Sequence, residues 1–169
     1  MLEVIAKSDL EKRLLALCEI HIGPLGFRVI DVDCSTGGRS LVRAFVEFLA
    51  PEGPRSPTLD ECASVSRVLG GVLEAEELVS GSYNLEVSSP GLDRRLRTLE
   101  DFESSVGSEV RLRLVSPVSG LGKEPAGTVK SVKGSPGGEG DPSVVLQCQS
   151  REWEIPLARV RRANRVWKS

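Results

Sequence analysis

The sequence predicts an α+β chain in two parts: a helix-strand-strand-helix-strand domain over residues 1–91, then an all-β small barrel over residues 92–169. Three observations carry this. Two S/T-x-x-E boxes, at Ser8–Glu11 and Thr58–Glu61, each precede apolar residues at helical spacing. Three strand candidates accompany them, beginning at Phe27, Leu41 and Tyr83. Past Gly107 only short alternating strands remain, after a Ser88-Ser89-Pro90-Gly91 break that opens a connecting segment at about residues 90–97.

In a capping box each side chain accepts a hydrogen bond from a backbone N–H that the first helical turn leaves unpaired, so a helix starts at Ser8. Leu10, Leu14, Leu17, Cys18 and Ile22 make one apolar stripe, with Glu11, Lys12, Arg13 and Glu19 mostly off it. Gly23-Pro24 and Gly26 end the helix. Phe27 to Cys34 then alternates, with Phe27, Val29, Asp31 and Asp33 on one side and Arg28, Ile30, Val32 and Cys34 on the other, a strand with one buried face. The turn Ser35-Thr36-Gly37-Gly38 leads to Leu41 through Leu49, which completes an antiparallel hairpin.

Pro51 to Pro57 is a loop, and the Thr58 box starts a second helix. Leu59, Cys62, Val65, Leu69, Val72 and Leu73 supply its apolar face, while Gly70-Gly71 weakens its last turns by about 1 kcal/mol per glycine. In the third strand Tyr83, Leu85 and Val87 alternate with Asn84, Glu86 and Ser88. Two helices on one face of three strands form a layered module whose open face or edge must be covered or used.

Beyond Gly91 the pattern changes. Asp93 to Phe102 holds a short helical turn, and the strands that follow carry Val110, Leu112 and Leu114; Val129 with Ser131, or Thr128 with Val132; Val144, Leu146 and Cys148; and Trp153, Ile155 and Leu157. Four or five strands in about 65 residues imply a small barrel, which removes sheet edges by closing on itself. Two Gly/Ser/Pro loops separate them, Ser116 to Gly127 and Gly134 to Pro142, and their composition predicts mobility and tolerance to insertion rather than chemistry.

Composition narrows the function. Aromatics are 4% of the chain, so a core of Leu, Val and Ile is expected and long base-stacking platforms are not. No run of about 18 apolar residues and no signal-peptide pattern is visible, so the expected location is the cytoplasm, with no membrane partner. The net charge of −2 divides unequally: residues 1–92 balance to −6 and residues 93–169 to +4, which suggests two modules with different partners. Cys18, Cys34, Cys62 and Cys148 never fall in a C-x-x-C pair and each lies in an apolar segment, so they are expected in the core rather than in disulfides or on a metal.

Catalysis lacks its parts. A nucleophilic serine needs a base within reach, and the single histidine, His21, falls beside the apolar stripe of the first helix. No G-x-S-x-G, phosphate-loop or dinucleotide fingerprint occurs, and Glu74, Glu76 and Glu77 suit a solvated helix end better than a metal site. No catalytic residue, cofactor, metal or small-molecule substrate is therefore expected.

What remains is Ser88, Ser89, Pro90, Gly91, Leu92, Asp93, Arg94 and Arg95. Proline fixes φ and biases Ser89 toward extended backbone, glycine admits positive φ, and both serines can bond to nearby backbone groups, so the segment is a sharp, defined turn. It serves either as an elbow with Asp93 and Arg94 paired locally, or as an element that presents Asp93, Arg94 and Arg95 to RNA phosphate or to a protein.

The run from Tyr83 through Leu85-Glu86-Val87-Ser88-Ser89-Pro90-Gly91-Leu92-Asp93-Arg94 resembles the signature of the bacterial ribosome maturation factor RimP family. Asp60-Glu61-Cys62 with Val65-Ser66-Arg67 is similar to that family's second helix, Gly26 to Val32 to its first strand, and Ile155-Pro156-Leu157 with Val160 and Ala163 to its closing barrel strand. Arg95 departs from the family pattern, which usually has proline after the arginine, and the two long loops are longer or richer in glycine than the family's.

The resemblance implies an N-terminal α+β domain joined to an Sm-like small barrel. It also implies a non-enzymatic factor that binds the immature small ribosomal subunit, around the decoding-region protein and its ribosomal RNA, and assists maturation; a monomer is expected. Ser88 to Arg95 is then the docking element; apart from the resemblance, Arg111, Arg113, Arg159, Arg161, Arg162 and Arg165 are read as RNA phosphate contacts, with solvated charge as the alternative for Arg111 and Arg113, which alternate with a buried strand face. Two other classes fit the residues less fully: a free-standing Sm-like RNA chaperone, and a protein-binding adaptor without a ribosomal role.

Overall fold

A computed structural model of the chain describes residues 5–36, 38–50, 55–91, 94–135 and 139–168. The chain is α+β and divides into two units, one spanning Ser8–Gly91 and the other joining Met1–Lys7 to Leu92–Ser169. The sequence pattern placed residues 1–7 with the first domain, but Ile5 is buried in the core of the second unit and the Ala6 N–H donates to the Val160 carbonyl at 2.7 Å.

In the first unit helix α1 (Asp9–Ile22) starts at the expected capping box, with Ser8 accepting from the Glu11 N–H and Glu11 accepting from the Ser8 N–H. Glu11 was expected off the buried stripe. It is only 5% exposed, and its second carboxylate oxygen accepts from the Cys34 N–H at 3.2 Å, tying the helix to the sheet. Leu15, absent from the expected stripe, is buried, whereas Leu17 is only half-buried.

Strands β1 (Phe27–Ser35) and β2 (Ser40–Phe48) form the antiparallel hairpin, and β3 (Tyr83–Ser88) adds to β2 in parallel after the crossover helix α2 (Leu59–Glu76), giving the order β1-β2-β3. Strict alternation in β1 is broken. A bulge between Val29 and Asp31 re-aims the strand, so Phe27, Val29, Val32 and Cys34 line up with Phe48, Val46, Ala44 and Val42. These residues pack with Leu14, Cys18 and Ile22 of α1 and with Cys62, Val65, Leu69 and Leu73 of α2. Two expected face residues of α2 fall outside this core: Leu59 is 90% exposed, and Val72 is half-buried. The opposite face of the sheet carries cross-strand ion pairs, Arg28 with Glu47 and Arg43 with Glu86.

The second unit is a separate six-stranded sheet in the order β4-β9-β5-β6-β7-β8. Its strands are β4 (Arg94–Arg95), β5 (Glu109–Leu114), β6 (Ala126–Lys133), β7 (Ser143–Cys148), β8 (Arg151–Pro156) and β9 (Val160–Arg165), with the short helix α3 (Leu99–Glu103) between β4 and β5. Every sequential pairing from β5 to β8 is antiparallel, and β9 returns to pair with both β4 and β5. Strand pairing does not close the sheet: β4 and β8 are its two ends, and no ladder joins them among the described residues.

Val110, Leu112, Leu114, Val144, Leu146, Ile155 and Leu157 share one buried cluster, on the faces the sequence assigns them. In β6 neither expected alternation holds, because a bulge between Val129 and Ser131 lets Val129 pair with Leu146 and Val132 with Val144. The expected loop Ser116 to Gly127 is partly ordered, with a Val118–Gly122 bridge and β6 already begun at Ala126. In the other loop, residues 136–138 lie outside the described residues.

Candidate partner-binding segment and arginine face

The segment Ser88 to Arg95 divides between the two units. Ser88 closes β3 opposite Phe45, and the backbone of Ser89 hydrogen-bonds the Cys62 thiol of α2. Burial raises the Cys62 pKa, and the Ser89 contact opposes that rise without reversing it. Gly91 adopts φ +69, the left-handed conformation that glycine takes without steric cost, so the turn needs a glycine there. Ser88, Ser89 and Pro90 are half-buried and Gly91 is exposed. Leu92 and Asp93, and with them the expected local Asp93–Arg94 pair, lie outside the described residues.

On the other side of that gap Arg94 and Arg95 form β4, paired with Arg165 and Asn164 of β9. Arg95 therefore occupies a ladder position, with 6% of its surface exposed. Proline in its place would remove a backbone donor from the strand. Immediately beyond, Thr98 and Asp101 make a third capping box, and the Asp101 carboxylate also accepts from the Arg97 N–H at 2.9 Å.

Directly opposed residues in a ladder project on the same side of the sheet. Arg111 opposes Asn164, Asn164 opposes Arg95, and Arg113 opposes Arg162. Three of the six expected phosphate-contacting arginines are thus brought together around Asn164. They border a cleft of about 200 Å³ lined by Arg111, Leu112, Arg113, Glu124, Arg162 and Asn164. Glu124 is the acid of this cleft, 3.6 Å from Arg113 Nε, and both side chains are at least half exposed.

The other three arginines go elsewhere. Arg165 aligns with Arg94 and with the buried Val110, on the opposite side of the sheet from Asn164. Arg159 sits in a 3-10 turn and donates to Ser116 Oγ at 3.3 Å, and Arg161 donates to the Ala6 carbonyl at 3.3 Å. Simple alternation about the buried Ala163 sets Arg165 apart from Arg162 and Asn164, and the register shift between Arg113 and Leu114 leaves Arg161 out of the β5–β9 register. Sequence spacing alone misses Asn164 and Glu124, since the signal that unites them with Arg111 is strand register.

Among the described residues no helix is long and apolar enough to cross a membrane, and no three His, Cys, Asp or Glu side chains converge as metal ligands would. Cys18 is deeply buried and its thiol is pushed up to about 12, which keeps it protonated and unreactive near neutral pH.

Residues 17–93 match the family described as the RimP N-terminal domain. The matched span starts within α1, takes in the whole β1-β2-α2-β3 arrangement and ends just past the Ser88–Gly91 turn. Over this span the chain carries a RimP N-terminal domain, which supports the resemblance to the RimP family of ribosome maturation factors.

Proposed function

We propose that this chain is a non-enzymatic factor that binds the immature small ribosomal subunit and assists its maturation, acting as a cytoplasmic monomer. The observation that carries this is the RimP N-terminal domain over residues 17–93, which includes the turn and the first residues after it. The partner surfaces in this proposal are the decoding-region ribosomal protein and its ribosomal RNA. Ser88 to Arg95 is the docking element in this proposal, with Ser89 held against α2 at one end and Arg94 and Arg95 held in the β4 ladder at the other. The C-terminal sheet is in the same proposal an Sm-like barrel, a reading supported by its antiparallel succession of strands and single core.

The test is co-sedimentation of the purified chain with immature and mature small subunits, beside Asp93→Ala/Arg94→Ala. The expected result is selective binding to the immature particle that the double substitution abolishes while circular dichroism shows the fold intact. Binding that survives the substitutions removes docking from this segment. Binding to neither particle overturns the function.

A further inference from the structure

We infer that the outer side of β5 and β9, where Arg111, Arg113 and Arg162 surround Asn164, binds the sugar-phosphate backbone of RNA, and that Glu124 is a competing anion which an incoming phosphate displaces. The proposed ribosomal role supplies the source of the RNA, but the surface itself stands on register and charge. Arg111 and Arg113 are two residues apart on one strand, so their side chains leave the sheet about 7 Å from each other on the same side. That separation is comparable to the distance between successive phosphates of an extended strand. Arg162, opposite Arg113, widens the row by one strand, so the charges form a short band and not a single point.

The chemistry selects phosphate. Guanidinium offers a planar fork that meets phosphate oxygens in pairs, and it stays charged throughout the physiological range. Asn164, at the middle of the ladder between Arg111 and Arg95, adds an amide that can both donate and accept, which suits a ribose hydroxyl. Arg95 is buried, so it contributes its field to the band rather than a direct contact. Glu124 is the one acid among the residues lining the cleft, and its 3.6 Å approach to Arg113 is an exposed pair of the weak kind. A polyanion that brings several phosphates at once replaces such a pair readily, because each phosphate neutralised also releases counterions.

An acidic peptide would meet the same charges but would not need the regular band, and salt response separates the two. Fluorescence anisotropy of a labelled single-stranded RNA and a labelled RNA hairpin, titrated with the full chain over a range of salt, provides the readout. Arg111→Ala/Arg113→Ala is expected to weaken RNA binding by roughly tenfold or more. It should also flatten the log–log salt slope by about 0.7 for each single-strand phosphate that the variant no longer neutralises. Lys130→Ala/Lys133→Ala removes the same charge from β6 and serves as the comparison; Lys133 pairs there with Glu154.

Glu124→Gln keeps the size of the side chain and should tighten RNA binding by about two- to fivefold, the range of one exposed ion pair. This gain does not depend on the double-arginine variant folding. If neither RNA binds at low salt, or if the arginine and lysine pairs change affinity and slope alike, the inference is overturned. The same outcome follows if Glu124→Gln leaves affinity unchanged. Co-sedimentation run in parallel separates the two ideas, since a chain that still binds immature subunits but ignores RNA loses only this surface.

Discussion

Arg55 holds Glu61 with both arms of its guanidinium, Nη1 and Nη2 each 3.1 Å from a carboxylate oxygen, while its Cζ stands 4.1 Å from the centre of the Phe48 ring. The Thr58 N–H donates to the same carboxylate at 2.8 Å, so one side chain closes the cap of α2 and anchors the arginine that precedes it. Arg55 first, and the Thr58 backbone second, bring the Glu61 pKa down to about 2. An unfolded glutamate titrates near about 4.3, so the folded value is depressed: the stabilisation is fully present above that pH and is lost as pH falls toward 2. Because Glu61 lies at the surface, solvent screens the effect and it tunes the cap rather than the whole fold. Arg55→Ala should therefore raise the Glu61 carboxyl pKa toward the ordinary carboxylate range in an NMR titration. A value that stays near 2 would assign the whole shift to the Thr58 cap.

At the scale of the element, bulges decide what the sequence can reveal. The helices were legible because a capping box and an apolar stripe are local signals, and both helix starts stand where Ser8 and Thr58 place them. Strand positions were legible too, but their facing failed in β1 and β6, where one added residue moves every later side chain to the other side. A bulge is set by the partner strand, so the alternation around Ile30 or Lys130 within its own strand carries no trace of it. The arginine face was half legible: Arg111 and Arg113 share a side by simple period, as do Arg162 and Asn164, but only the β5–β9 register puts the two pairs on the same side. Gly127 illustrates how closely such ladders pack. A Cβ added there would stand 2.3 Å from the Gln147 carbonyl oxygen and 2.9 Å from Cys148 Sγ, so β6 and β7 meet without room for a side chain. Gly127→Ala should cost roughly 1–3 kcal/mol through overpacking, seen as a lower urea midpoint. An unchanged midpoint would mean that β6 shifts its register without penalty.

For the whole molecule the consequential feature is that the residues before Ser8 belong to the same unit as those after Gly91. Ile5, 5% exposed, is part of the cluster that contains Leu96, Phe102 and Val160, and Ala6 adds a backbone hydrogen bond to Val160 at the start of β9. Residues near the N-terminus therefore complete a core that the rest of the sequence builds only after residue 92. Such a contact has a high sequence separation and forms only once the segments far apart in sequence meet. Both tryptophans, Trp153 and Trp167, lie in that C-terminal unit, whereas the two long helices lie in the other. Fluorescence and helix-sensitive circular dichroism thus report on different units. Ile5→Ala removes most of a buried side chain and should destabilise the C-terminal unit by about 2–5 kcal/mol, the range for such a truncation. The tryptophan-monitored urea midpoint should fall while the helical midpoint stays where it was. Equal shifts in both signals would show that the two units unfold as one, and no shift in either would show that the N-terminal segment adds nothing to the core it enters.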